Sequence, residues 1–326
     1  MPGQRYAAIT MALALTILPA SAQENAATNY PNNRIRIVVG FAAGGGVDLI
    51  ARVVAEGLSQ RWNQPVIVEN RIGAAGNVGS ETVFNSPPDG YTLLAGPQGP
   101  FVANKALYKN LRIDPDKLEH VSIATLIPAV LAVPGTSRFK TVEDFLSFAR
   151  ANPGKLNFAS QGNGSSGHLI AVMLEQALKT KFGHVPYGGS APAVNDLTAG
   201  HVDFMFVDLS AVLALSVGGK LNILATSTAK RVPSIARVPT LIETGIKDFA
   251  GNVWWGFASP PGTPLAIREK IAAEIKAIVH SPEVSKKLTD LAVIPLGSTP
   301  AEMSEQVRND SKLWSNVIEI AKIRAE

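Results

Sequence analysis

The sequence predicts an α/β protein made of two units with a ligand cleft between them, and three observations carry that prediction. A β-branched strand, a glycine-rich turn and an amphipathic helix follow one another in IRIVVGFAAGGGVDLIARVVAEGL, from Ile35 to Leu58. The same order returns in LNFASQGNGSSGHLIAVMLEQAL, from Leu156 to Leu178. Between and around these segments strand and helix signals alternate, the pattern of a parallel sheet covered by helices.

Taken in chain order, strands are expected at Arg34 to Val39, Val66 to Glu69 and Tyr91 to Leu94, each followed by a loop and a helix-compatible stretch. A second series opens with a helix over Thr141 to Ala151, capped by Thr141, then a strand at Leu156 to Ala159 and a helix from His168 to Lys179. Strands at His184 to Tyr187, Phe204 to Val207 and Asn222 to Ala225, with a helix over Ala191 to Ala199, complete it. Farther on, Thr263 with Pro264 opens a helix to about Val279 and Ser281 with Pro282 opens a short one. Thr299 and Glu302 form a capping box ahead of a helix reaching Ile323. These last helices need a sheet to cover and the second unit is already complete, so they are assigned to the first. The chain then crosses between units twice, near Leu131 to Gly135 and near Asn252 to Gly256. The expected organisation is a leader over residues 1–22, one domain of residues 23–131 with 253–326, and a second of residues 132–252.

Composition narrows the function. The 326 residues are 46% hydrophobic and 17% charged, which excludes global disorder. Arg5, the apolar run from Ala7 to Leu18 and the small residues Ala20, Ser21 and Ala22 form a secretory signal peptide pattern, cleaved after Ala22. That run is well short of the roughly 20 apolar residues a spanning helix needs, so export to the periplasm is expected. Cysteine is absent, which removes disulfides, thiolate nucleophiles and cysteine-based metal sites. The net charge of +4 comes from scattered rather than striped lysine and arginine, which argues against nucleic acid as a partner.

Each glycine turn leaves helix-start N–H groups without intrahelical acceptors and lets a ligand approach the main chain, a combination that suits anions. The alternative for Gly44, Gly45 and Gly46 is a plain tight connection. A nucleotide is disfavoured, because no Lys-Ser/Thr pair follows as in a phosphate loop and the dinucleotide glycine spacing is not met. The second turn, Ser160 to Gly167, adds hydroxyl and amide side chains. Catalysis finds no support: His120, His168, His184, His201 and His280 fall in no metal-binding spacing, and no serine sits in a nucleophile elbow. His168 at a helix start is read as bonded to backbone, and Asp48 as a first-turn cap. Asp208, beyond the strand at Phe204 to Val207, either accepts from a ligand amine or hydroxyl or caps a helix. Trp254 and Trp255 are read as packing between the units rather than stacking on ligand.

Long segments resemble one family in order: IRIVVGFAAGGGVD, PVIVENRIGAAGNVG, PPDGYTLL, PGKLNFASQGNGSSGHL, HVPYGGSAPAVNDLTAGHVDFMF, VPTLIETG and WWGFASPPGTP. Together they cover almost all of the chain after the leader. This resembles the Bug family, the extracytoplasmic solute-binding subunits of tripartite tricarboxylate transporters. The resemblance implies a type II periplasmic-binding-protein fold and a monomer with no cofactor and no enzymatic activity. It also implies capture of a small carboxylate (dicarboxylate, tricarboxylate or aromatic acid) and delivery to membrane permease subunits. Ligand positions carried over are Phe41, Ala42, Ala43, Gly44, Gly45, Gly46 and Val47 in the first turn, and Ser160, Gln161, Gly162, Asn163, Gly164 and Ser165 in the second. Asn77 lies in the loop after the second strand. The family's first turn usually reads FAPGGGTD, whereas Ala43 and Val47 here replace proline and threonine, so a hydroxyl donor is lost and selectivity shifts toward the second turn. The rival readings are a hydrolase or transferase on a similar scaffold, or a small-molecule sensor.

Overall fold

The computed structural model describes residues 28–247, 249, 251 and 253–324; the expected signal peptide, and Asn252 at the second expected crossing, lie outside the described residues. The chain forms two α/β units, as the sequence predicts. In order, the first unit begins β1 (Ile35–Val39), α1 (Gly46–Trp62), β2 (Val66–Asn70), α2 (Asn77–Phe84) and β3 (Thr92–Pro97). A wide helical turn at Gly99–Ala103 then runs into α3 (Asn104–Leu107), followed by β4 (Glu119–Ile127). The second unit holds β5 (Ala129–Pro134), α4 (Val142–Ala151), β6 (Asn157–Ser160), α5 (Ser166–Leu178), β7 (Gly183–Pro186), α6 (Ser190–Ala199), β8 (Phe204–Asp208), α7 (Leu209–Val217) and β9 (Leu221–Thr226). The chain returns through β10 (Val253–Ser259), α8 (Leu265–Val279), α9 (Pro282–Asp290), β11 (Ile294–Pro295) and α10 (Pro300–Ala321).

The strand order is β11-β4-β10-β3-β1-β2 in the first sheet and β7-β6-β8-β5-β9 in the second. The expected parallel pairing holds for part of each sheet. β1, β2 and β3 run parallel, as do β6, β7 and β8, but β10 pairs antiparallel with β3 and β4, and β5 antiparallel with β8 and β9. The reason is connectivity: β4 passes into β5, and β10 arrives from the second unit, with no crossover helix to restore direction.

Local rules explain the helices well. Thr141 caps α4 and Thr299 caps α10 in reciprocal boxes with Asp144 and Glu302. Close approach of α2 to β1 needs glycine on both sides: a Cβ at Gly40 would sit 2.6 Å from Gly76 Cα, and one at Gly79 would sit 2.8 Å from Gly40 Cα. That contact places Phe41 and Ala75 at one end of the first sheet.

Pro128 is the single residue between β4 in one sheet and β5 in the other. Ser227, fully buried just after β9, joins the two passages: its N–H donates to Ala129 O at 2.9 Å, and its hydroxyl lies 2.8 Å from Gly251 O. One apolar cluster runs through both units, with Phe101, Trp254 and Trp314 on one side and Phe145, Phe158 and Phe204 on the other. Helix α10 packs on β4 and also reaches α5, so it spans the junction. Among the described residues no helix is long and apolar enough to cross a membrane.

Candidate ligand-binding site

A cavity of about 350 Å³ lies between the units. The first unit contributes Phe41 after β1, Ala75 before α2, the Pro97–Pro100 segment after β3, and Ala103, Asn104, Leu107 and Tyr108. The second contributes Gln161, Asn163, Gly164, Ser165, Ser166 and Leu169, and Val253 closes it at the return passage. Carboxyl ends of parallel strands β1, β3 and β6 therefore face the same space, which is where open α/β sheets leave a crevice.

The second glycine turn is held rigidly. Gly162 and Gly164 take φ of +125° and +73°, conformations that favour glycine. Ser165 caps α5, its hydroxyl accepting from His168 N at 3.4 Å and donating to Gln161 Oε1 at 3.2 Å. Gly164 N–H donates to His168 Nδ1 at 3.0 Å, and the His168 ring stacks on His184 with centroids 3.9 Å apart. His184 Nε2 meets the Ser160 hydroxyl at 2.7 Å. The first-turn N–H groups of Ser166 and Gly167 lack intrahelical acceptors, and Ser166 lines the cavity. Ser166 brings such a donor to the second-unit side of the cavity.

The first glycine turn is built differently. Asp48 folds back so that its carboxylate accepts from Gly44 N at 2.9 Å, Arg52 Nε at 2.8 Å and Asn70 Nδ2 at 2.9 Å. Hydrogen bonding from Arg52, helped by Gly44 and Asn70, pulls the carboxyl down to about 2 against the effect of burial. The turn thus carries its own anion. The Trp255 ring covers Gly46, where a Cβ would lie 2.2 Å from it, and Val47 buries its side chain in the core beside Ile50 and Ala51.

Of the residues expected from sequence, the structure brings Phe41, Gln161, Asn163, Gly164 and Ser165 to the cavity wall. Asn77 stands one bond behind it, its Oδ1 accepting from Asn104 Nδ2 at 2.7 Å. Ser160 and Gly162 lie in the turn's internal network, and Ala42, Ala43, Gly44, Gly45, Gly46 and Val47 are not among the lining residues. Asp208 is not among them either; it precedes α7 without a side-chain cap bond, and burial pushes it up to about 6. Trp254 is fully buried and stacks on Phe101 at 5.5 Å. Sequence reasoning missed the wall from Pro97 to Tyr108, whose available signal was the cluster Gly96, Pro97, Gly99 and Pro100 after a strand.

The histidine pair makes stability depend on pH. Burial, then the proximity of His184, lowers His168 to about 4, and burial also lowers His184. A depressed histidine contributes stability that is complete above its unfolded value near 6.5 and is lost as pH falls toward 4, here at most about 3 kcal/mol. His120, lowered to about 4 by burial and then by Arg268 and Arg308, adds to that loss. Asp208 opposes it, because a raised carboxyl favours the fold below 3.8 and disfavours it as pH rises through 6. Melting temperature should fall between pH 6.5 and 4, and His168→Gln, which keeps an acceptor for Gly164, should flatten the slope. Equal slopes in the two proteins would exclude His168 as a source.

Residues 50–323 match the family described as tripartite tricarboxylate transporter family receptor. A protein of Pseudomonas sp. strain P51, from the tcbD-tcbE intergenic region, is 35% identical across 97% of this chain and 94% of its own length. Among solved structures, Rpa4515 of R. palustris with adipate is 31% identical, with a TM-score of 0.78 over 91% of this chain and 99% of that one. MatC of Rhodopseudomonas palustris with bound malate is 30% identical, with a TM-score of 0.73 over 89% of this chain and 100% of that one.

Proposed function

The chain belongs to the tripartite tricarboxylate transporter receptor family, and from that premise we propose that it is a periplasmic solute receptor that binds a small carboxylate in the cavity between its units. The observation that carries the reading is the α5 N-terminus at that cavity, with Ser166 on the wall and Asn163 beside it. Main-chain N–H groups and the helix dipole favour a carboxylate there by roughly 0.3 to 1 kcal/mol or more when partly buried. Adipate and malate in two similar proteins support the same ligand chemistry.

In this reading the protein is a monomer and does no chemistry on its ligand. Residues before the first passage and after the second form one lobe and the intervening residues the other. The lobes close on ligand, and the closed form is what the permease subunits recognise. Among the residues expected at the site, those of the second turn take the carboxylate and Phe41 flanks the ligand body.

A thermal-shift screen of the purified protein tests this. Carboxylic acids should raise the melting temperature, since a ligand at about 100 times its Kd adds about 2.7 kcal/mol. Shifts with neutral sugars or cations and none with any acid would overturn the carboxylate reading. Turnover of a bound acid would overturn the receptor reading.

A further inference from the structure

The ligand cavity backs onto a second hollow of about 280 Å³, with Asn77, Val78, Glu81, Tyr108, Leu111 and Arg112 among its lining residues. The division between the two is thin at three places. Tyr108 lines both spaces. Ala75 lines the cavity and Ala74, the residue before it, lines the hollow, so one thickness of chain separates them there. Asn104 lines the cavity, Asn77 lines the hollow, and the two amides are joined by the 2.7 Å bond from Asn104 Nδ2 to Asn77 Oδ1.

The dividing turn is strained. Ala74 and Ala75 take φ of +45° and +50°, between Gly73 at +150° and Gly76 at +92°. Two successive non-glycine residues in the left-handed region cost energy, and such strain persists where surrounding contacts hold it and gathers at ligand clamps. Here the Asn104 amide holds it, donating to Ala75 O at 3.1 Å as well as to Asn77.

The two spaces differ in charge. Among the described residues, none that lines the cavity is charged, whereas the hollow carries Arg112 and Glu81. Their pairing is loose: Arg112 Nη1 and Glu81 Oε1 stand 3.6 Å apart, beyond hydrogen-bond reach, and the arginine side chain is mostly exposed. A guanidinium takes a carboxylate through two parallel bonds, which Glu81 does not complete. At the join, the Tyr108 hydroxyl has no hydrogen-bond partner among the described residues, and burial raises it, so it keeps its proton and can donate.

We infer that the binding site continues past Tyr108 into this hollow and takes a long, two-ended acid, one carboxylate at the α5 N-terminus and the other on Arg112 in place of Glu81. This rests on the carboxylate reading above and extends it, because the ligand is then chosen by its length.

Titration calorimetry on the purified protein tests it with unbranched acids in pairs of equal chain length: succinate with butyrate, adipate with hexanoate, suberate with octanoate and sebacate with decanoate. Pairing cancels the apolar gain of each added methylene and leaves the effect of the second carboxylate. A second carboxylate that stops in the uncharged cavity meets neutral donors at best, whereas one that reaches Arg112 gains charge-assisted bonds. The ratio of diacid to monoacid affinity should therefore rise about tenfold or more from the shortest pair to the longest. At the longest pair Arg112→Gln should lower that ratio about tenfold. Glu81→Gln, which removes the competitor, should raise it. Both variants break the same ion pair, so opposite signs separate ligand contact from a structural effect. A ratio that stays flat or falls with length, one that Arg112→Gln leaves unchanged, or equal losses in both variants would overturn the inference and leave the carboxylate reading standing. Absence of binding by any acid overturns both.

Discussion

A Gly40→Ala chain should lose about 3 kcal/mol of stability or more, the upper range for forcing a methyl group into packed structure. The reason is that the new Cβ would meet main chain rather than a side chain that can turn away. Gly76 Cα and O stand 2.6 and 2.8 Å from it. Helix α2 would have to lift from the end of β1, carrying Ala75 with it and disturbing Phe41 on the cavity wall. Gly79→Ala strikes the same contact from the other side, 2.8 Å from Gly40 Cα. Its cost should be similar, and the double variant should cost less than the two added together, because once the helix has moved the second methyl meets little. Urea unfolding of the three variants measures this. A loss under about 1 kcal/mol for Gly40→Ala would mean that the approach is slack.

Trp254→Ala should be at least as damaging. It empties a fully buried indole site in the cluster that runs through both units, which typically costs about 3 to 5 kcal/mol. It also removes the N–H that donates to Asp310 Oδ2 at 2.7 Å. Trp254→Phe separates the two effects: most of the volume stays, and the loss of the donor to Asp310 Oδ2, with Gln306 still bonded to Oδ1, accounts for about 1 to 3 kcal/mol. Burial raises Asp310, against the pull of Trp254 and Gln306, so losing the indole donor raises it further. The Trp254→Phe penalty should therefore shrink as pH falls and the carboxyl becomes neutral. A penalty that does not change with pH would separate the loss from Asp310. Because Trp254 stacks on Phe101, within the Gly99–Ala103 turn beside the cavity, ligand affinity should fall in the same variants.

What was legible in the sequence follows from the range over which its signals act. Capping boxes at Thr141 and Thr299 and both strand-turn-helix segments are local, and the structure places elements there. Strands β4, β5 and β10 were not, because HVSIATLIPAVLAVP reads as one apolar run and its direction is set by pairing partners far along the chain. At the site, the second turn could be read from its own hydroxyl and amide residues. In the first turn Asp48, four positions after Gly44, accepts the Gly44 N–H, a contact that a glycine pattern alone does not reveal because it depends on how the side chain folds back. The wall from Pro97 to Tyr108 has no motif, and its place at the cavity depends on β3 lying next to β1.

Ser227 ties the two passages between the units at one buried point, to Ala129 on one and Gly251 on the other. In the proposed swing the passages would then turn together, as a single torsion bar rather than two loose cords. The resting angle would be set by main-chain atoms remote from the ligand, so residues such as Asn104 or Leu107 can change and give the receptor a new ligand while the mechanics of opening stay the same.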